Sequence, residues 1–275
     1  MRFETGTVAV VTGASGGIGR ALALELAGRG CDLALCDVSD GVEDTADAVR
    51  ALGRRVYVAT VDVSNRDQME GFAAAVEEHL GPAQLLVNNA GVSLTGDMVD
   101  YSLEDWDWML GVNLYGVIYG IHFFLPQLTQ TRGHIVALSS LFGLIGVGGQ
   151  SAYCATKFAV RGLCESIDQE LRGRGVGVTS VHPGAVDTGI VRGQARYRGA
   201  SDNASTRRRA ARLIGRGMSA EEAARRIADA AEARRSRLVL TWDAWWMDLF
   251  ARLFPTGYRW AVARWRKRLF RPARS

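Results

Sequence analysis

The chain has 275 residues, 48% hydrophobic and 23% charged, with a formal charge of +4. That is enough to bury a sizeable core as one α/β domain, and too near balance for a nucleic-acid-binding domain. Cysteines at 31, 36, 154 and 164 lack a C-x-x-C pattern and histidines at 79, 122, 134 and 182 lack metal-ligand spacing, so neither a metal site nor a disulfide scaffold is expected, and reduced thiols suit a cytoplasmic setting.

The opening "MRFETGTVAVVTG" leads directly into a strand-like run, so no secretory leader is expected, and no apolar run reaches the roughly 18 residues of a spanning helix. Seven short runs read as buried strands: "TVAVVTG", "CDLALCD", "RVYVATVD", "AQLLVNN", "GHIVALSS", "GVGVTSVHPG" and "SRLVLTW". Amphipathic segments at 17–29, 42–52, 65–80, 102–130 and 152–172 read as helices between them. Strands apolar on both faces, alternating with helices, predict a doubly wound α/β fold. It has one seven-stranded parallel sheet, helices on both faces and a ligand crevice at the carboxyl ends of the strands. No linker divides residues 1–241, and the pattern changes to an aromatic, arginine-rich extension at 242–275.

The first strand runs into "TGASGGIGRALALELAGRG", where Gly13, Gly17 and Gly19 precede a helix. Glycines there let the backbone approach a pyrophosphate, and the helix N-terminus offers free N–H groups. Asp37 closes the second strand, where a carboxylate can accept hydrogen bonds from an adenosine ribose. A 2′-phosphate about 4 Å away would meet repulsion of roughly 4 kcal/mol at an effective dielectric near 20, which favours NAD over NADP.

Further on, "SAYCATKFAV" sets Tyr153 and Lys157 one helical turn apart, in a chain whose 33 basic residues include only two lysines, Lys157 and Lys267. An ammonium is a compact point charge, unlike the planar guanidinium used elsewhere, so a lysine at 157 points to a slot that needs one.

Taken together, "TGASGGIG" (12–19), "DV" (62–63), "NNAG" (88–91), Asn113 in "GVNLYG", "LSS" (138–140), "YCATK" (153–157) and "PGAVDT" (183–188) resemble, in order and spacing, the short-chain dehydrogenase/reductase family of roughly 250 residues. The resemblance covers residues 5–190 and implies a single Rossmann-type domain. It implies catalytic Asn113, Ser140, Tyr153 and Lys157; of the adjacent serines, Ser140 matches by its distance of 13 from the tyrosine and Ser139 is the bystander. It also implies cofactor contacts from Thr12, Gly13, Ser15, Gly17, Ile18, Gly19, Asp37, Asp62, Val63, Asn89, Ala90, Gly91, Tyr153, Lys157, Pro183, Gly184, Val186 and Thr188. A mobile substrate lid at 188–218 and pairing of chains through the helices at 102–130 and 152–172, as a homodimer or homotetramer, follow from the same resemblance.

The chemistry fits those residues. Tyr153 would exchange the substrate's hydroxyl proton, and a charge about 4 Å away is worth roughly three pKa units, so Lys157 would lower the phenol's pKa. Ser140 would hold the substrate oxygen, and Asn113 would link Lys157 through a water to solvent. Ser140, Leu141, Phe142, Leu144, Ile145, Gly149 and Tyr153 form the candidate substrate pocket, whose apolar character suggests a steroid, retinoid or fatty alcohol or ketone. The lid arginines read as solvated. A 3-oxoacyl-thioester reductase is the enzymatic rival, and a non-catalytic NAD(H)-sensing scaffold is the rival of another class. In the extension, Trp245, Trp246, Leu249, Phe250, Leu253 and Phe254, then Tyr258, Val262, Trp265 and Leu269, form two helical stripes. Three readings of 244–275 stay open: helices over the pocket or a subunit, a peripheral membrane contact, or a site for an acidic partner.

Overall fold

The computed structural model describes residues 1–188 and 195–269. The lid residues 189–194 and the last tail residues, 270–275, lie outside the described residues. The first half of the chain runs β1 (Val8–Thr12), α1 (Gly17–Gly28), β2 (Asp32–Asp37), α2 (Val42–Ala51), β3 (Val56–Thr60), α3 (Arg66–Leu80), β4 (Leu85–Asn88) and β5 (Ser93–Thr95). Then come α4 (Leu103–Leu110), α5 (Gly116–Thr131), β6 (His134–Leu138), α6 (Ser151–Leu171), β7 (Gly177–His182) and β8 (Ala195–Tyr197). The chain continues through α7 (Ala204–Ile214), α8 (Ala220–Glu232), β9 (Arg237–Val239), α9 (Trp242–Leu253) and α10 (Tyr258–Leu269).

All seven predicted strands form one parallel sheet in the order β3-β2-β1-β4-β6-β7-β9. Alternate residues of each strand feed opposite layers. Ala9, Val11, Leu33 and Leu35 meet α1, α2 and α8 through Leu22, Leu26, Ala46 and Ile227. Val8, Val10, Ala34 and Cys36 meet α3, α5 and α6 through Met69, Phe72, Phe124 and Val160. This two-sided burial is why the strand sequences read as continuous apolar runs. The strand order reverses between β1 and β4, where the fold opens its crevice.

Three features depart from the sequence reading. The segment 102–130 is not one uniform α-helix, because Gly111–Tyr115 makes a π-helical turn between α4 and α5. The helix from Leu103 to Thr131 is long and apolar enough to cross a membrane, which counting apolar runs did not show. Val117, Ile121, Phe124 and Leu128 are buried against the sheet, so its apolarity serves the core. Finally, β5 and β8 form a small second parallel sheet, which anchors the lid within its first half. Arg198, just beyond β8, grips the buried carboxylate of Asp105 with two hydrogen bonds of 2.8 and 2.7 Å, while Arg196 stacks 3.7 Å over Trp108. Arg198 and Arg196 are therefore engaged rather than merely solvated. Arg198 holds the Asp105 carboxyl below its ordinary range.

Two buried histidines brace the carboxyl half of the sheet. His134 on β6 bonds Thr179 Oγ1 at 2.7 Å, and burial pushes its pKa down to about 3. His182 on β7 bonds Ser180 Oγ at 2.9 Å, and burial pushes its pKa down to about 4. Unfolded, each ring returns to about 6.5. As pH falls the unfolded chain binds these protons first, so the stability they confer is complete above about pH 6.5 and declines toward the folded values, by about 1.4 kcal/mol per pH unit per ring. Chemical denaturation between about pH 6.5 and pH 5 should show that slope, and His134→Gln should remove about half of it. Stability flat across this range would contradict the assignment.

Candidate active site

The carboxyl ends of the strands enclose a cleft of about 1370 Å³. At one end lies the turn between β1 and α1. Gly13 has φ +68°, and a Cβ there would stand 2.8 Å from Ala90 Cα; a Cβ at Gly19 would run into the Gly13 carbonyl oxygen. Only glycine allows this approach of turn, helix and β4. Gly16 lines the cleft, and a side chain on it would meet no protein atom, so the space above the turn is open to a ligand. Helix α1 has no side-chain cap and no carboxylate in its first turn, leaving N–H groups and positive dipole for an anion. These are the features a dinucleotide's pyrophosphate needs, and the residues present fit such a group.

Thr12 and Gly19 do not line the cleft but build its floor. Thr12 Oγ1 accepts from the Asn89 and Ala90 N–H groups, both at 3.1 Å, and Asn89 Nδ2 donates back to the Thr12 and Gly13 carbonyls at 2.9 and 3.0 Å. In this structure the Thr12 side chain and the close packing at Gly19 serve the architecture of the turn. The walls hold Gly13, Ser15, Gly17, Ile18, Asp37, Asp62, Val63, Asn89, Ala90 and Gly91. Asp37 is buried and accepts the Ser15 and Ser39 N–H groups at 3.0 and 3.1 Å, bracing the glycine turn from the end of β2. Asp62 is tied to Ser64 N–H and Oγ. Pro183, Gly184, Val186 and Thr188 close the opposite wall, with Thr188 packed on Gly17.

At the other end β6 meets α6. Lys157 is buried, and its ammonium donates to the Leu138 carbonyl at 2.8 Å, while Ser139 Oγ donates to the Lys157 carbonyl at 2.8 Å. Ser139 is thus spent on architecture. Ser140 faces the cleft, its Oγ accepts from Phe142 N–H at 3.1 Å, and its hydroxyl acts on the Tyr153 phenol. Behind it, His182 Nδ1 lies 3.2 Å from the Ser140 carbonyl. The Lys157 ammonium sits 5.6 Å from the Tyr153 ring centroid. Burial pushes the Tyr153 phenol up to about 12, opposed in part by Ser140, and pushes Lys157 down to about 8. The phenol therefore shifts opposite to the direction expected from the lysine alone, because desolvation penalises the charged form of each group.

Asn113, in the π-helical turn, lies behind the wall. Its Oδ1 accepts from Val92 N–H at 2.8 Å, and its Nδ2 faces the Val92 carbonyl at 2.9 Å, Met109 Sδ at 2.9 Å and Thr156 Oγ1 at 3.4 Å. The side-chain amide is committed to the Val92 backbone and α6 rather than presented to the cleft.

Of the expected substrate pocket, Ser140, Leu141, Phe142, Ile145, Gly149 and Tyr153 line the cleft. Leu144 does not; it is buried in a separate cluster with Val147, Cys154 and Val262. Several lining residues were missed in the sequence: Trp108 and Gln150, Tyr197, Thr206 and Arg209 of the lid region, and Asp243, Met247 and Val262 of the extension. The stripe through Tyr258 and Val262 was the available signal for the last group, since a helical stripe needs a surface to cover. In the lid, Thr206, Arg209, Ala210, Leu213 and Ile214 recur at helical spacing along α7, a signal that the arginine run at 207–209 obscured.

The sequence profile of the family described as short chain dehydrogenase matches residues 7–198. A Mycobacterium tuberculosis chain named as an oxidoreductase, SadH, is 39% identical over 265 residues, 95% of each chain. Among solved structures, a short-chain dehydrogenase/reductase from Burkholderia phymatum in complex with NAD superimposes with a TM-score of 0.85 at 32% identity, over 94% of this chain and 97% of that one. A short-chain dehydrogenase from Mycobacterium paratuberculosis bound to NAD gives a TM-score of 0.76 at 26% identity, over 87% and 97%. With a glycine turn opening on a crevice at the strand ends, a Ser–Tyr–Lys cluster across it and relatives aligned along nearly the whole chain, this protein belongs to the short-chain dehydrogenase/reductase family of oxidoreductases.

Proposed function

We propose that the chain is an NAD(H)-dependent oxidoreductase that interconverts an alcohol and a ketone or aldehyde on an apolar substrate of steroid, retinoid or fatty type. The observation that carries the substrate class is the wall beside Ser140 and Tyr153, built by Leu141, Phe142, Ile145, Val147, Met247 and Val262. Few polar groups there could pay for desolvating a polar substrate. The rival reading, a carrier-bound acyl substrate held by lid arginines, is weakened by the engagement of Arg198 with Asp105 and of Arg196 with Trp108.

The glycine turn, Asp37, Asn89 to Gly91, Lys157 and the Pro183 to Thr188 segment would hold the dinucleotide. The nicotinamide ring, when bound, supplies or accepts the hydride. Tyr153 Oη gives its proton to the carbonyl oxygen in reduction and takes the hydroxyl proton in oxidation. Ser140 Oγ holds that oxygen beside the phenol. Lys157, fixed to the Leu138 carbonyl, holds a compact charge next to the ring, and Asn113 positions the Val92 backbone and α6. A phenol at about 12 stays protonated at neutral pH, which suits donation and favours carbonyl reduction there; oxidation needs the phenolate and gains with alkaline pH. Pairing of two chains through α5 and α6 belongs to the same reading, supported by exposed Tyr115 and Phe158 beside and on those helices.

Tyr153→Phe keeps the ring and removes the proton. We expect kcat for both directions to fall by about 10²- to 10⁴-fold, with NADH affinity by fluorescence titration within about two-fold of wild type. In wild type, reduction should be nearly level from about pH 6 to 9, while oxidation should rise by up to about ten-fold per pH unit. Turnover near wild type in the mutant, or an oxidation profile already level at neutral pH, would sink the assignment of Tyr153 or its elevated pKa respectively.

Asp37→Asn removes the charge but keeps an acceptor for the Ser15 turn. Repulsion of about 4 kcal/mol at 4 Å would be relieved, so the ratio of kcat/KM with NADP to that with NAD should rise by about 10² or more. A ratio unchanged within about two-fold would mean that Asp37 does not read the ribose.

A further inference from the structure

Helices α9 and α10 have two unlike faces. The inner face packs Met247, Ala251, Tyr258 and Val262 on the segment from Leu141 to Ile145, and Tyr258 Oη accepts from Gly146 N–H at 3.2 Å. The outer face exposes Trp242, Trp246, Phe250, Leu253, Phe254 and Trp260, with Trp242 71% and Trp260 68% accessible. Trp242, Trp245 and Trp246 form one cluster with ring centroids 4.9 to 5.6 Å apart. Apolar surface on this scale, concentrated in one short segment, marks an interaction face.

Charge is sorted between the same two faces. The Asp243 carboxylate lies against Gly184 at the cleft wall, and Asp248 is held by Arg237 at 2.9 Å. These are the two acids between residues 242 and 269; Asp248 is turned toward the body of the protein, and Asp243, though exposed, sits at the cleft wall. Arg259 and Arg264 are exposed beside the aromatics, with the Arg264 guanidinium 4.7 Å over the Trp260 ring. Tryptophan with flanking arginine and no carboxylate is the composition favoured at a lipid–water interface, where the rings settle at headgroup depth and the cations meet phosphate. Two other segments bordering the cleft also show apolar side chains to water: Met98 and Val99, next to Asp97 of the wall, and Leu213, itself part of the wall.

We propose that the outer face of α9 and α10 docks on the surface of a bilayer containing anionic phospholipid, with both helices lying along the interface. Docking does not depend on the reaction at Tyr153. Its consequence for substrate does rest on the reading above: the inner face of the same helices walls the cleft, so a docked enzyme would take an apolar substrate from the lipid.

The test is flotation of the full chain with vesicles of phosphatidylcholine alone and of phosphatidylcholine with about one third phosphatidylglycerol. Wild type should float with the anionic vesicles, with a partition coefficient at least about ten-fold above that for phosphatidylcholine. The combined substitution Trp242→Ser, Trp246→Ser, Trp260→Ser should lower it by about ten-fold or more, and Arg259→Glu with Arg264→Glu should lower it comparably for the anionic vesicles alone. Thermal unfolding checks that each variant folds, and if the tryptophan variant does not, the charge reversals decide. Wild type that stays with the unbound fraction, or variants that float as wild type does, would overturn the proposal. So would dissociation of a dimer by the same substitutions in lipid-free sedimentation, which would make the face a contact between two copies. Because lipid binding is read directly, failure here leaves the oxidoreductase reading standing.

Discussion

The active site depends on how one lysine is tied to the end of one strand. Lys157 receives the Ser139 hydroxyl on its backbone carbonyl and gives its ammonium to the Leu138 carbonyl, so two consecutive residues of the β6 exit fix its backbone and the tip of its side chain. Helix α6 then has little freedom to slide or rotate against the sheet. Tyr153, one turn earlier, is brought to Ser140, the very next residue of that exit. A guanidinium would be too broad for the slot and would spread its charge away from the ring. The burial that locks the joint also desolvates the phenol and the ammonium, and it sets the phenol's elevated pKa. Architecture and acid–base behaviour therefore come from a single packing arrangement.

The cofactor end is built on a comparable economy. Thr12 and Asn89 exchange hydrogen bonds between the ends of β1 and β4, the two strands between which the sheet order reverses. Their backbones could otherwise splay, because helices leave these strands on opposite faces. The bonds close the gap so tightly that glycine is required at 13 and 19. Asp37 reaches the same turn from β2, through Ser15. Its carboxylate is thereby oriented before any ligand arrives.

The sheet was legible in the sequence because its central strands are buried on both faces and so write largely apolar runs. The glycine turn, Asp37 and the Tyr153–Lys157 pair stood out by their spacing, and Ser140 was picked out by the resemblance to the family. Three things were not legible. Strands β5 and β8 are three residues each and pair across a long interval, so neither carries a period. The π-helical turn at 111–115 keeps a helical pattern of side chains while changing the backbone bonds. The phenol's pKa depends on burial, which no pairwise spacing reports; the lysine's charge was visible in the sequence, and the desolvation opposing it was not.

If the outer face docks on lipid as proposed, one stretch satisfies two readings that look like alternatives. A helix packed only on the pocket would carry a single apolar stripe with polar residues opposite, and a helix bound only to lipid would leave its inner face unneeded by the fold. Helix α9 has Met247 at the cleft and Trp246 in solvent on neighbouring positions, so its apolar surface extends around more of the helix than one core contact explains. Burial of the inner stripe holds the helix against the segment that follows Ser140, and that attachment keeps the outer aromatics in place at the rim of the cleft. Any force applied to the outer face is transmitted to the substrate wall through side chains that are already in contact. An enzyme for freely diffusing polar substrates has no use for such a coupling; one whose substrate dissolves in an apolar phase gains from having its cleft and its docking face on the same two helices.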